Sequence, residues 1–121
     1  MRLLMNDNPS VEKSFEFAVR IVNLYKYLTQ EHKEYIMSKQ LLRCGTSIGA
    51  NVAEAQRGQS KADFASKMNI ALKEANETQY WLKLLYRTNY LPEAHFQSIN
   101  QDISELLNIL IAICKTANSS K

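Results

Sequence analysis

"CGTSIGANVAEAQRGQS", residues 44–60, holds all 3 glycines of a 121-residue chain: Gly45, Gly49 and Gly58. Such a run is either a loop that cradles a phosphate or a helix with one face stripped of side chains. The spacing rejects the loop. Residues 45–49 read neither G-x-G-x-x-G nor the P-loop pattern that ends in Lys-Ser/Thr, and no strand-like segment precedes them. A membrane-helix dimer motif fails on its flanks, because Arg43, Glu54 and Arg57 bound the stretch. What remains is packing. Gly45, Gly49 and Ala53 recur at i, i+4 and i+8, which leaves one helical face nearly bare. Two glycines inside a helix cost about 1 kcal/mol each against alanine, a cost offset if a neighbouring helix approaches closely. Close helix packing is the reading adopted, with a ligand-binding role as the alternative. Ser47, Asn51 and Glu54 form a polar row beside the glycines. It reads as a solvated or locally bonded face, a network fixing helix or subunit register, or a ligand site.

Outward from this stretch, the pattern is helical throughout. A first helix spans about 9–29, with Pro9 at the position where a missing N–H costs nothing. It carries two apolar stripes about 100° apart. One is Val11, Phe15, Ala18, Val22 and Tyr25; the other is Phe17, Ile21, Leu24 and Leu28. The second helix spans about 34–57, with core positions Leu41, Gly45, Ile48, Val52 and Ala55, and Gly58 offers a left-handed residue to end it. Ser60 and Asp63 resemble a capping box opening a third helix over about 61–88. Its heptad runs Phe64, Met68, Ala71, Ala75, Thr78, Leu82 and Leu85, and Asn89 can end it. The fourth, about 92–117, keeps Phe96, Ile99, Ile103, Leu106, Leu110, Ile113 and Ala117 on one face. No segment alternates with the period of a strand. The expectation is one all-α domain over 1–121, an antiparallel up-down-up-down left-handed four-helix bundle with short links.

Composition narrows the function classes. Apolar residues make up 45%, and 3 Gly with 2 Pro are too few for a disordered or turn-rich chain. No run of eighteen apolar residues exists for a membrane span, and MRLLMNDNPS lacks the apolar length of a secretory signal, so the expected location is cytoplasmic. Two cysteines in such a chain read as thiols. In an up-down bundle Cys44 and Cys114 lie about 12 Å and about 33 Å from the same end, too far apart to bridge. The net charge of +3 is too small by itself to indicate nucleic acid.

Catalysis and metal binding have little to stand on. His32 and His95 fall near connections at one end, but neither has a glutamate three residues earlier, as a di-iron bundle needs. Zinc wants four Cys or His ligands, and the cysteines lie elsewhere. Surface histidines, no catalytic residues, no cofactor and no metal are expected; the chain reads as a non-enzyme.

The run SIGANVAEA, followed by RGQSKADFASKMNIALKEANETQYWL, resembles the four-helix-bundle family encoded in intervening sequences of bacterial 23S ribosomal RNA. Ser47, Ile48, Ala50, Asn51, Ala53, Glu54, Ser60, Lys61 and Phe64 carry the resemblance. Gly49 stands where the family usually has proline, and Ala55 where it has glycine. The family is similar in fold to the accessory variability protein of diversity-generating retroelements, a basic homopentamer that partners a reverse transcriptase and RNA. The resemblance therefore implies a pentamer and hints at nucleic acid.

The residues themselves also ask for an oligomer. A four-helix bundle buries one stripe per helix, and the first helix has two. Exposing Phe17, Ile21, Leu24 and Leu28 would forfeit roughly 1.5–3 kcal/mol each. These four are assigned to an interface between copies, the alternative being wider contact inside one protomer. For a partner, the third helix offers Asn69, Lys73, Asn76, Tyr80, Lys83, Arg87 and Tyr90 at spacings of four and three. Cations interleaved with aromatics can neutralise phosphates and stack on bases; the plain alternative is a solvated face. A second basic group, with Arg57 and Lys61 among Lys13, Lys67 and Lys115, gathers at the opposite end, partly cancelled by Glu12, Glu54 and Asp63. The expected function is a non-enzymatic oligomeric scaffold binding RNA or other nucleic acid through multivalent basic surfaces. The alternative is a protein–protein adaptor without nucleic-acid affinity.

Overall fold

The computed structural model describes residues 8–119. Four helices occupy nearly all of them: α1 (Pro9–Glu31), α2 (Met37–Ala55), α3 (Lys61–Arg87) and α4 (Glu93–Ser119). No strand occurs among the described residues. Each helix packs on its neighbours around a ring, α1 on α2, α2 on α3, α3 on α4 and α4 on α1, with no comparably close backbone approach between diagonal pairs among the described residues. The architecture is an all-α four-helix bundle.

The ends follow from local chemistry. Pro9 begins α1, and Ser60 caps α3 by accepting from the Asp63 N–H at 3.1 Å. The Asp63 carboxylate in turn accepts from the Gln59 N–H at 3.3 Å. Asn89 ends the α3 segment in the left-handed region, φ 71. Gly58 does not end α2 this way, contrary to expectation, for no glycine here has positive φ. The chain instead tightens after Ala55, with the N–H groups of Gln56, Arg57 and Gly58 each bonding three residues back. Gly58 has a different constraint: a Cβ there would sit 3.2 Å from both the Ala55 carbonyl oxygen and the Phe64 nitrogen.

The core draws on all four helices, and the heptads of α3 and α4 face it as expected. Met68, Ala71, Ala75, Thr78, Leu82 and Leu85 are buried, as are Ile99, Ile103, Leu106 and Leu110. The first helix requires a correction. Phe17, Ile21, Leu24 and Leu28 lie in the core of the single chain, all at most 3% exposed, so they form no interface with another copy. The reason lies opposite them. The bare face of α2 receives this stripe, and a Cβ at Gly45 would fall 2.8 Å from Ile21 Cγ1. At Gly49 it would meet the Ser14 carbonyl oxygen at 3.1 Å. Ala53, third in that series, is exposed. With this stripe inward, Phe15, Val19 and Val22 face outward at 65%, 43% and 37% exposed, while Val11, Ala18 and Tyr25 of the other expected stripe are half-buried.

Candidate nucleic-acid interface

Along α3, the side chains opposite the core are available. Lys73, Asn76, Tyr80, Lys83 and Arg87 are exposed and Tyr90 is half-buried. Lys73, Lys83 and Arg87 have no carboxylate within ion-pair distance among the described residues, whereas Lys13, Arg20, Arg43 and Lys67 each have one. Tyr80 sets its ring against Trp81, centroids 5.1 Å apart and nearly perpendicular. The row thus presents three cations around an exposed aromatic, of which Lys73 also lies within the field of Glu77.

Arg57 and Lys61 lie at the other end of the bundle, also exposed and without a carboxylate partner there among the described residues. Lys61 lines an apolar groove of about 670 Å³ with Phe64 and Ile113. Of the other cations in that group, Lys115 is exposed, while two are neutralised locally. Lys13 pairs with Glu105 at 3.7 Å and Lys67 with Glu54 at 2.8 Å. The polar row of α2 is likewise consumed at home: Glu54 takes Lys67 across to α3, and the Asn51 amide donates to the Ser47 carbonyl at 2.9 Å.

Two networks escaped the sequence pattern. Arg43 on α2 bridges Glu74 and Glu77 on α3, and Trp81 Nε1 donates to Glu77 at 3.1 Å. The Arg43 and Trp81 hydrogen bonds hold the Glu77 carboxyl below the usual carboxylate range. Beside it, burial pushes the Cys44 thiol up, and Cys114 rises for the same reason. Both are free, buried thiols, and neither is poised as a nucleophile. The second network is aromatic, at the end where α1 finishes and α4 starts. Tyr27 and His32 meet at 5.0 Å, His32 and Tyr90 at 5.7 Å, and Tyr27 and His95 at 6.0 Å, all edge to face. Tyr86 stacks on Phe96 at 4.4 Å. The signal for this cluster was present as rings flanking two connections at one end, but only the topology brings them together. Burial, then the positive field of Arg20, lowers the His95 pKa. Among the described residues no three His, Cys, Asp or Glu side chains converge as a metal site, and no helix is long and apolar enough to cross a membrane.

Residues 6–112 match the family described as 23S rRNA-intervening sequence protein. The chain belongs to that family. A solved structure from Bacteroides thetaiotaomicron VPI-5482, described as a protein of unknown function from the S23 ribosomal protein family, is similar at 61% identity. The match covers 88% of this chain and 98% of that one, with a TM-score of 0.86. No curated protein matches the chain. Membership in the 23S rRNA-intervening sequence family thus accounts for the bundle and for the SIGANVAEA run without assigning a reaction.

Proposed function

We propose that the chain is a non-enzymatic scaffold that binds nucleic acid, RNA foremost, along the outer face of α3. The observation that carries this reading is the set of exposed cations Lys73, Lys83 and Arg87 around the exposed ring of Tyr80. Three cations per chain are few, so affinity depends on copies acting together. We further propose a homo-oligomer, the pentamer that the family resemblance implies, assembled through the outward stripe of α1. Five chains of +3 carry about +15. With about two phosphate contacts per copy, the slope of log affinity against log salt is near −2 for a monomer and near −9 for a pentamer on duplex DNA.

The test is a gel-shift with structured RNA and duplex DNA at several salt concentrations. The expected result is a steep salt slope that flattens in the Lys83→Ala/Arg87→Ala variant. No binding at about 50 mM salt, where phosphate contacts are strong, would overturn the reading in favour of a protein–protein adaptor.

A further inference from the structure

The aromatic end of the bundle carries an open, shallow cleft of about 340 Å³, within the range of small-ligand sites, roughly 300–1,000 Å³. Tyr27, His32, Tyr86, Asn89, Tyr90 and Glu93 line it. Their combination is selective. One face of Tyr86 is occupied by Phe96, and His32 is fixed by a 3.0 Å contact between its Nε2 and the Tyr27 hydroxyl. The rings are therefore held before any ligand arrives. Glu93 is the sole charged residue in the lining, which disfavours a phosphate inside the cleft. Arg87 and Lys33, chain neighbours of Tyr86 and His32, are exposed and disfavour a free cation. An uncharged, flat, hydrogen-bonding ring carried on an anionic backbone satisfies both conditions.

We propose that this cleft stacks an unpaired guanine of a single-stranded nucleic acid whose backbone runs onto the Arg87 end of the α3 row. The inference rests on the nucleic-acid reading above. Guanine fits because its N1–H and N2–H donors lie side by side on one edge, where a carboxylate accepts both. Glu93 can do so: among the described residues its partner is the Gln97 amide at 3.1 Å, an exposed bond one turn away that a ligand can displace. Adenine offers a single amino donor on that edge and an acceptor beside it, which faces the carboxylate unfavourably. Duplex nucleic acid keeps its bases stacked and has none to insert.

The test is fluorescence anisotropy with three labelled RNAs: a uridine strand of about ten nucleotides bearing one guanine, the same strand bearing adenine, and a blunt duplex. The guanine strand is expected to bind about 5- to 100-fold more tightly than the adenine strand, the discrimination of a bidentate contact. Glu93→Gln abolishes that preference and leaves duplex affinity unchanged. His32→Ala lowers affinity for the guanine strand but not for the duplex, and because His32 is exposed its variant keeps the fold. Equal binding of both single strands by the wild-type chain, or a preference that survives Glu93→Gln, overturns the cleft proposal. If the duplex still binds through Lys83 and Arg87 in that case, the broader reading stands. If no RNA binds, both fall.

Discussion

Gly45 decides how close α1 and α2 come, and its effect can be weighed. A methyl group there would lie 2.8 and 2.9 Å from Ile21 Cγ1 and Cγ2. Those atoms sit next to the backbone of a fully buried, branched side chain, so they have little room to retreat. Overpacking a core costs typically 1–3 kcal/mol, against about 1 kcal/mol gained in helix propensity. Gly45→Ala is therefore expected to lose about 1 kcal/mol net in urea denaturation. In combination with Ile21→Ala the loss should be smaller than the sum of the two single losses. A stabilised Gly45→Ala would show that the helices part freely. His95 gives a second residue-scale outcome. Its pKa is lowered by burial and then by Arg20, from an unfolded value near 6.5. A depressed folded value contributes stability that is complete above about pH 6.5 and lost as pH falls through the folded pKa. Below about pH 6, then, the wild type should lose stability more steeply than His95→Asn; parallel curves between pH 5 and 7 would refute the assignment.

At the scale of elements, α2 begins without a side-chain bond from its cap residue, Ile36. Glu34 supplies what the cap lacks. Its carboxylate accepts from the N–H groups of Ile36, Met37 and Ser38 at 3.1, 2.9 and 2.8 Å, and the Ser38 hydroxyl donates to the Glu34 carbonyl at 2.8 Å. Glu34→Ala leaves three N–H groups of a helix start without that partner and removes a negative charge from the positive end of the dipole. The expected loss is about 1–3 kcal/mol in chemical denaturation, with a smaller loss for Glu34→Gln; an unchanged midpoint for the alanine variant would remove Glu34 from this role. The cap was not legible in the sequence, because a glutamate reaching forward two to four residues matches no capping pattern; the second helix was accordingly expected to open at 34 and not at 37. By contrast, α3 and α4 were readable since each carries a single unbroken heptad whose inward side is unambiguous. The α1 helix carries two apolar stripes, and which turns inward depends on the bare face of α2 lying opposite Ile21, a fact of pairing absent from either helix alone. The same holds for the candidate site. The α3 row follows from spacing along one helix, whereas the aromatic cleft joins the end of α1 to the distant connection between α3 and α4.

The whole molecule leaves Phe15, Val19 and Val22 on its surface at spacings of four and three, one continuous outward stripe on α1. Isolated exposed apolar residues are ordinary, but a phenylalanine 65% exposed within such a stripe is the mark of a contact surface. Burying a large apolar side chain is worth roughly 1.5–3 kcal/mol, repeated at every copy of a closed ring. The Phe15→Ser/Val19→Ser variant separates assembly from folding, because these are the most exposed positions of the stripe and serine adds no charge. The wild-type chain should sediment as an oligomer at micromolar concentration and the variant as a monomer with a nearly unchanged urea midpoint. Phe17→Ala is the contrasting case: a core truncation expected to cost about 3–5 kcal/mol, with the stripe on the other side of the helix left in place. The charge argument then gives the decisive measurement. If copies act together on a phosphate backbone, releasing them from one another should reduce the duplex-DNA salt slope from near −9 towards −2 without touching a single cation. A wild-type monomer, or a slope that is the same in both proteins, would mean that three cations on α3 act alone, and a surface of that strength is too weak to hold nucleic acid at physiological salt.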